Sequence, residues 1–224
     1  MRLPPPAVLL AAPLLASLAF AAVPARAAST AGCHCFQDRT FDPLRPGAAD
    51  PYILATARSS LLSAAFGVPK ADLVRAVMGG TAPEDLWIAS WAGARAKRPA
   101  AALLAARGQM GSWKEALAGL APFDGPFAAA LARDAGAAEL AGIAVDDVLV
   151  SRAKATPSAL RALRAAGATT EETVVATLLS AQIGAPVLPL VAEVKAGRAT
   201  WGSVLRDAGL EPGQLDALAR TLVR

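Results

Sequence analysis

Apolar residues of this 224-residue chain recur every three or four positions and seldom alternate with polar ones. Between residues 51 and 66, one helical face collects six apolar side chains: Leu54, Ala57, Leu61, Leu62, Ala65 and Phe66. This spacing predicts amphipathic helices, since half-buried strands require strict alternation. Proline and glycine interrupt the chain at helix-length intervals, as the starts and stops of short helices require. The pattern therefore predicts an all-α fold, an array of about nine or ten short helices.

The pattern of residues 69–120 recurs 88 positions later, over residues 157–208. Trp113 and Trp201 occupy equivalent positions, and each opens a short helix on its buried face. The recurrence predicts two duplicated helical units packed in one compact domain. Their helices are expected near 69–78, 82–95, 99–107 and 113–120, and near 157–166, 170–183, 186–196 and 201–208.

Capping residues recur with the same period. Thr81 and Glu84 are spaced as a capping box, in which the hydroxyl and the carboxylate bond free N–H groups of the first turn. Thr169 and Glu172 repeat this spacing in the second unit. Two further caps are predicted for the helices that open on tryptophan: Ser112 and Thr200.

The remaining segments complete a five-part organisation. We expect a signal peptide (1–27), an extended Cys-containing segment (28–50), helical unit 1 (51–122), connecting helices (123–156) and helical unit 2 with a C-terminal helix (157–224). Connecting helices are expected near 126–135 and 145–155, and a last helix near 212–223. Phe36 and Phe41 predict that the proline-punctuated N-terminal segment lies on the helical core as a strap.

The N-terminus has the features of a secretory signal. Arg2 precedes an uncharged run over residues 7–24, and Ala-Arg-Ala at residues 25–27 forms a small-x-small cleavage site. The alternative is an uncleaved membrane anchor, but Pro13 interrupts the run and its length is at the lower limit for spanning. We therefore predict a periplasmic or extracellular protein with no stable membrane insertion after cleavage.

Charge argues against a nucleic-acid partner. Cleavage would remove Arg2 and Arg26, so 22 basic residues become 20 against 18 acidic ones, and the mature chain is nearly neutral. Residues 200–223 have the outline of a helix-turn-helix, but their last helix is poor in groups that contact phosphates or bases. The sequence therefore predicts no nucleic-acid binding.

Cys33, His34 and Cys35 include both cysteines and the only histidine of the chain. Two thiolates and an imidazole suit Cu(I) or Zn(II), and Asp38 or Asp42 would complete a tetrahedral zinc site. An exported protein instead favours a disulfide, although a Cys33–Cys35 bond closes a tight, strained and easily reduced ring. Four alternatives stay open: a metal site, a disulfide within or between chains, a thiol-redox pair, and a pair in a flexible tail.

Other catalytic signals are missing from the sequence. No second histidine is present for a Ser-His-Asp triad, and no phosphate-binding loop, HExxH or EF-hand spacing occurs. The acid pairs Asp146-Asp147 and Glu171-Glu172 are interpreted as helix starts, where carboxylates favour the dipole. Trp87 and Trp91 are interpreted as core residues, since Val175 and Leu179 replace them in the second unit.

The functional prediction rests mainly on the missing catalytic motifs. The sequence predicts an exported, non-enzymatic, all-helical binding or interaction protein with a protein partner and no cofactor. The alternative is a copper or zinc protein, or a thiol-redox protein, that acts through Cys33, His34 and Cys35.

Overall fold

The computed structural model describes Met1, residues 41–120 and residues 123–223. These residues contain twelve α-helices and no strand, so the predicted all-α fold is confirmed. The helices outnumber the nine or ten of the overall estimate, but each corresponds to one of the individual segments for which a helix is expected above. None of the described helices is long and apolar enough to cross a membrane.

Six helices make up the first half of the chain: α1 Asp50–Phe66, α2 Lys70–Met78, α3 Pro83–Ala96, α4 Ala100–Met110, α5 Trp113–Ala116 and α6 Gly125–Ala132. Six more make up the second half: α7 Ala137–Ala153, α8 Pro157–Ala165, α9 Thr170–Ile183, α10 Val187–Lys195, α11 Trp201–Asp207 and α12 Leu215–Leu222. Short 3-10 helices precede α1 and α12, over Pro46–Ala49 and Pro212–Gln214.

The duplicated pattern extends further than the sequence indicates. Every helix of the second half starts within two residues of 88 positions after its counterpart in the first half. The correspondence therefore includes α1 with α7 and α6 with α12, all of which lie outside the recurring stretches 69–120 and 157–208. Helix α7 also begins at Ala137, not near residue 145, because the apolar stripe through Leu140 and Ala144 continues upstream to Gly136.

Contacts between helices cross from one half to the other. Helix α1 packs against α9 and α12, while its counterpart α7 packs against α3 and α6. The first helix of each half thus lies on the third helix of the other half. Equivalent faces of α1 and α7 are buried by this exchange, through Ile53, Ala57, Leu61 and Ala65, and through Ala141, Val145, Leu149 and Ala153. The two halves consequently share one hydrophobic core.

Most of the predicted caps are present. Thr169 and Glu172 form the capping box of α9, and Ser112 and Thr200 accept N–H bonds at the starts of α5 and α11. The predicted box at Thr81 is wrong. Proline disfavours helical geometry in the residue before it, so Ala82 stays extended ahead of Pro83 and becomes the N-cap of α3.

The described part of the N-terminal strap packs on the second half. Phe41 is half-buried against the core, and Arg206 donates to the carbonyl oxygen of Pro43 over 3.3 Å. Phe36 lies outside the described residues.

Asp50 fixes the start of α11. Its carboxylate accepts the backbone N–H groups of Trp201 (3.1 Å) and Gly202 (2.8 Å). Burial raises the pKa of Asp50 above its ordinary value, and the two N–H donors oppose that rise. The contact joins the beginning of α1 to the beginning of α11 in the second half of the chain.

Candidate functional site

Cys33, His34 and Cys35 lie outside the described residues, as does Asp38. Asp42 is described, and its carboxylate pairs with Arg45 at 3.0 Å and accepts the N–H of Leu44 at 2.9 Å. The hydrogen bond from Arg45 lowers the pKa of Asp42, so this side chain is committed to a local turn. Among the described residues, no three His, Cys, Asp or Glu side chains are grouped to hold a metal ion.

A groove of about 650 Å³ lies among α3, α6, α7 and α8. Its apolar lining comes from all four helices: Trp91, Pro126, Phe127, Ile143, Val150 and Leu160. Small-molecule sites have volumes of about 300–1,000 Å³ and mostly apolar walls with a few polar groups. In size and lining, this groove therefore has the character of a ligand site.

Trp91 lines the groove and is held in place by several contacts. The centroid of its ring lies 4.2 Å from that of Phe127, and the Arg95 guanidinium lies 3.8 Å above it. Its Nε1 donates to Asp147 Oδ2 over 3.0 Å. Trp91 and Trp87 are both buried, as the core interpretation of this pair expects.

Five charged side chains also line the groove: Asp124, Asp146, Asp147, Arg161 and Arg164. Asp146 Oδ1 accepts from Arg164 Nη2 over 2.6 Å, and Asp147 Oδ2 accepts from Arg95 Nη2 over 2.8 Å. The interpretation of Asp146 and Asp147 as helix-start residues is wrong, because both lie in the second half of α7. Their carboxylates pair with arginines instead of stabilising a helix terminus.

A smaller cavity, of about 300 Å³, shares one lining residue with the groove. Arg164 lines both spaces, and its Nη1 lies 3.3 Å from Thr170 Oγ1. The smaller cavity is also lined by Trp87, whose buried Nε1 has no hydrogen-bond partner among the described residues. Arg164, which pairs with Asp146, thus contacts both the groove and the smaller cavity.

Sequence reasoning missed the charged groove residues, although one signal was available. Asp146 and Asp147 stand between Val145 and Val148 in a run that is otherwise apolar. Carboxylates in the middle of a helix are not stabilised by its dipole. Two adjacent acids at such a position therefore indicate basic partners, such as arginines, on other helices.

One further cluster has the composition of a Ser-Lys catalytic pair. Lys70 Nζ lies 3.1 Å from Ser60 Oγ, and both Lys70 and Ser60 donate to Asp216 Oδ1. Ser60 is only 2% exposed, and its hydroxyl lies 2.7 Å from the carbonyl oxygen of Thr56. A nucleophile must reach its substrate, so this cluster is better suited to joining α1, α2 and α12.

Asp216 is expected to make stability depend on pH. Burial raises its pKa, but hydrogen bonds from Lys70 and Ser60 and the charges of Lys70 and Arg220 outweigh burial and lower it overall. The ionised carboxylate therefore contributes stability above about pH 4, the ordinary pKa of aspartate, and loses it as pH falls through the lower folded-state value.

We expect Asp216→Asn to lower the urea midpoint at pH 6 and to have a smaller effect at pH 3. Asp207→Asn, which removes an exposed carboxylate paired with Arg206, should change neither midpoint. An effect of Asp216→Asn that is equal at the two pH values would contradict the assigned role of its charge.

Comparison with known proteins finds no match: neither a protein-family model, nor a curated protein, nor a solved structure is significantly similar to the chain.

Proposed function

We propose that the chain is an exported, non-enzymatic binding protein that holds a small amphipathic ligand in the groove among α3, α6, α7 and α8. The observation that carries this proposal is the groove itself, with its apolar walls and two arginine–aspartate pairs. Export rests on the signal-peptide pattern of residues 1–27. The burial of Ser60 supports binding over catalysis as the role of the described domain.

A neutral probe, 4-phenyl-1-butanol, tests the groove without reference to charge. We expect calorimetry to give a Kd of about 1–10 mM, as the ligand efficiency of a molecule this small allows. Val150→Glu should abolish binding, because it places a charge on the apolar wall. Leu188→Glu is the matched control, since the two side chains are 37% and 40% exposed and Leu188 lies outside the groove.

Two results would refute the groove as a ligand site. One is the absence of binding at 20 mM probe, roughly twice the weakest affinity expected. The other is an equal loss of binding in both variants, which would place the probe elsewhere on the surface.

The second candidate function is soft-metal binding or thiol-redox chemistry through Cys33, His34 and Cys35. It is favoured by one observation, the clustering of both cysteines with the sole histidine. Metal analysis of protein purified from the periplasm without reductant is expected to give stoichiometric copper or zinc on this hypothesis. The Cys33→Ser/Cys35→Ser double variant should lose that metal, and metal retained by the variant would exclude the motif as its site.

A further inference from the structure

Two opposite charges that line the groove have no ion-pair partner among the described residues. Asp124 is exposed at the start of α6, and its side chain caps no N–H group there. Arg161 is exposed on α8. The other charges of the groove are already matched, in the pairs Asp146–Arg164 and Asp147–Arg95. The groove therefore offers a ligand one free carboxylate and one free guanidinium.

The paired carboxylates keep spare capacity to accept hydrogen bonds. Asp147 receives both of its donors, from Trp91 and Arg95, on Oδ2, and Asp146 receives Arg164 on Oδ1. The second oxygen of each carboxylate has no donor among the described residues. A carboxylate can accept about four hydrogen bonds, so both residues can take N–H groups from a ligand.

We propose that the groove binds short apolar peptides with both termini free, an inference that rests on the proposed function. The peptide ammonium pairs with Asp124, and the terminal carboxylate pairs with the fork of Arg161. A backbone N–H group donates to a free carboxylate oxygen of Asp146 or Asp147. Apolar side chains lie on the walls formed by Val150 and Leu160.

The placement of the two charges favours a ligand whose ammonium and carboxylate are separated from each other. Asp124 and Arg161 line the same groove but form no ion pair with each other, so their charges are more than 4.0 Å apart. An extended dipeptide spans at most about 7 Å, at 3.3–3.6 Å per residue. A ligand with one charge would leave either Asp124 or Arg161 unmatched, and a bound zwitterion satisfies both.

Four forms of one dipeptide separate the contributions of the two charges. Leu-Phe carries both, Leu-Phe-NH2 only the ammonium, acetyl-Leu-Phe only the carboxylate, and acetyl-Leu-Phe-NH2 neither. We expect calorimetry at pH 7 to rank Leu-Phe first, at least tenfold tighter than either singly charged form, because each charge-assisted bond is lost separately. The neutral form should bind weakest.

Two variants assign each charge to its partner. The Asp124→Asn variant should bind Leu-Phe and acetyl-Leu-Phe with equal affinity, because it has lost the partner of the ammonium. The Arg161→Gln variant should bind Leu-Phe and Leu-Phe-NH2 with equal affinity, because it has lost the partner of the carboxylate. Both positions are exposed, so folding is expected to be unaffected. The charge-matched controls are Asp207→Asn and Arg206→Gln on α11, which should leave the ranking unchanged.

The contrary outcomes are distinct from those of the proposed function. If 4-phenyl-1-butanol binds but the four dipeptides bind equally, or a singly charged form binds best, the peptide inference is overturned and the groove remains a ligand site. If neither the alcohol nor any dipeptide binds, the proposed function fails and the peptide inference fails with it.

Discussion

Replacing Gly202 by alanine is expected to lower the free energy of unfolding by about 3 kcal/mol, the upper range for overpacking a core position. A Cβ added at Gly202 would overlap the carbonyl oxygen of Pro46, far inside the 3.0 Å that real Cβ atoms keep. The neighbouring atoms belong to the Pro46 backbone, and Gly202 itself is held by its hydrogen bond to Asp50, so neither can move aside cheaply.

Urea unfolding of Gly202→Ala beside Gly108→Ala measures this effect. Gly108 lies inside α4, and a Cβ added there would meet nothing within 4 Å. The control should therefore be unchanged or up to about 1 kcal/mol more stable, because alanine is the better helix former. Equal urea midpoints for the two variants would show that the Pro46 backbone does not pack closely against Gly202 of α11.

The second large effect is expected at Arg58, a buried arginine that joins the two halves. Its Nη1 donates to Glu84 in the first turn of α3 and to Glu171 in the first turn of α9. The guanidinium side chain is 9% exposed, against 31% and 24% for the two glutamates. Arg58→Met would leave two carboxylates near each other without a counter-charge.

We expect Arg58→Met to cost about 2–3 kcal/mol of unfolding free energy, somewhat less than a fully buried pair because the glutamates are partly solvated. The triple variant Arg58→Met/Glu84→Gln/Glu171→Gln should recover at least half of that loss in urea unfolding, since it removes the unpaired charges. A triple variant less stable than the single one would show that the loss comes from packing of the arginine stem and not from charge.

Helices could be predicted from the sequence because their signals are local. The apolar period, the prolines and the caps at Ser112, Thr169 and Thr200 all act within a few residues. The Thr81 box failed for an equally local reason, the effect of Pro83 on Ala82. The start of α7 was misplaced because its N-cap, Gly136, resembles a stop signal as much as a start.

The groove could not be predicted in this way. Trp91, Asp124, Asp147 and Arg161 come from four helices or their starts, and only the packing of α7 against α3 and α6 brings them together. The 88-residue period offers no help here, since Asp146 and Asp147 correspond to Arg58 and Ser59 in the first half.

The indole N–H resonances of the four tryptophans test the groove most directly. Only Trp91 lines it, while Trp87, Trp113 and Trp201 are buried elsewhere and serve as internal controls. Titration of ¹⁵N-labelled protein with 4-phenyl-1-butanol should shift the Trp91 indole signal along a saturable curve and leave the other three in place. An unchanged Trp91 signal, or equal shifts of all four, would contradict the account of a ligand held among α3, α6, α7 and α8.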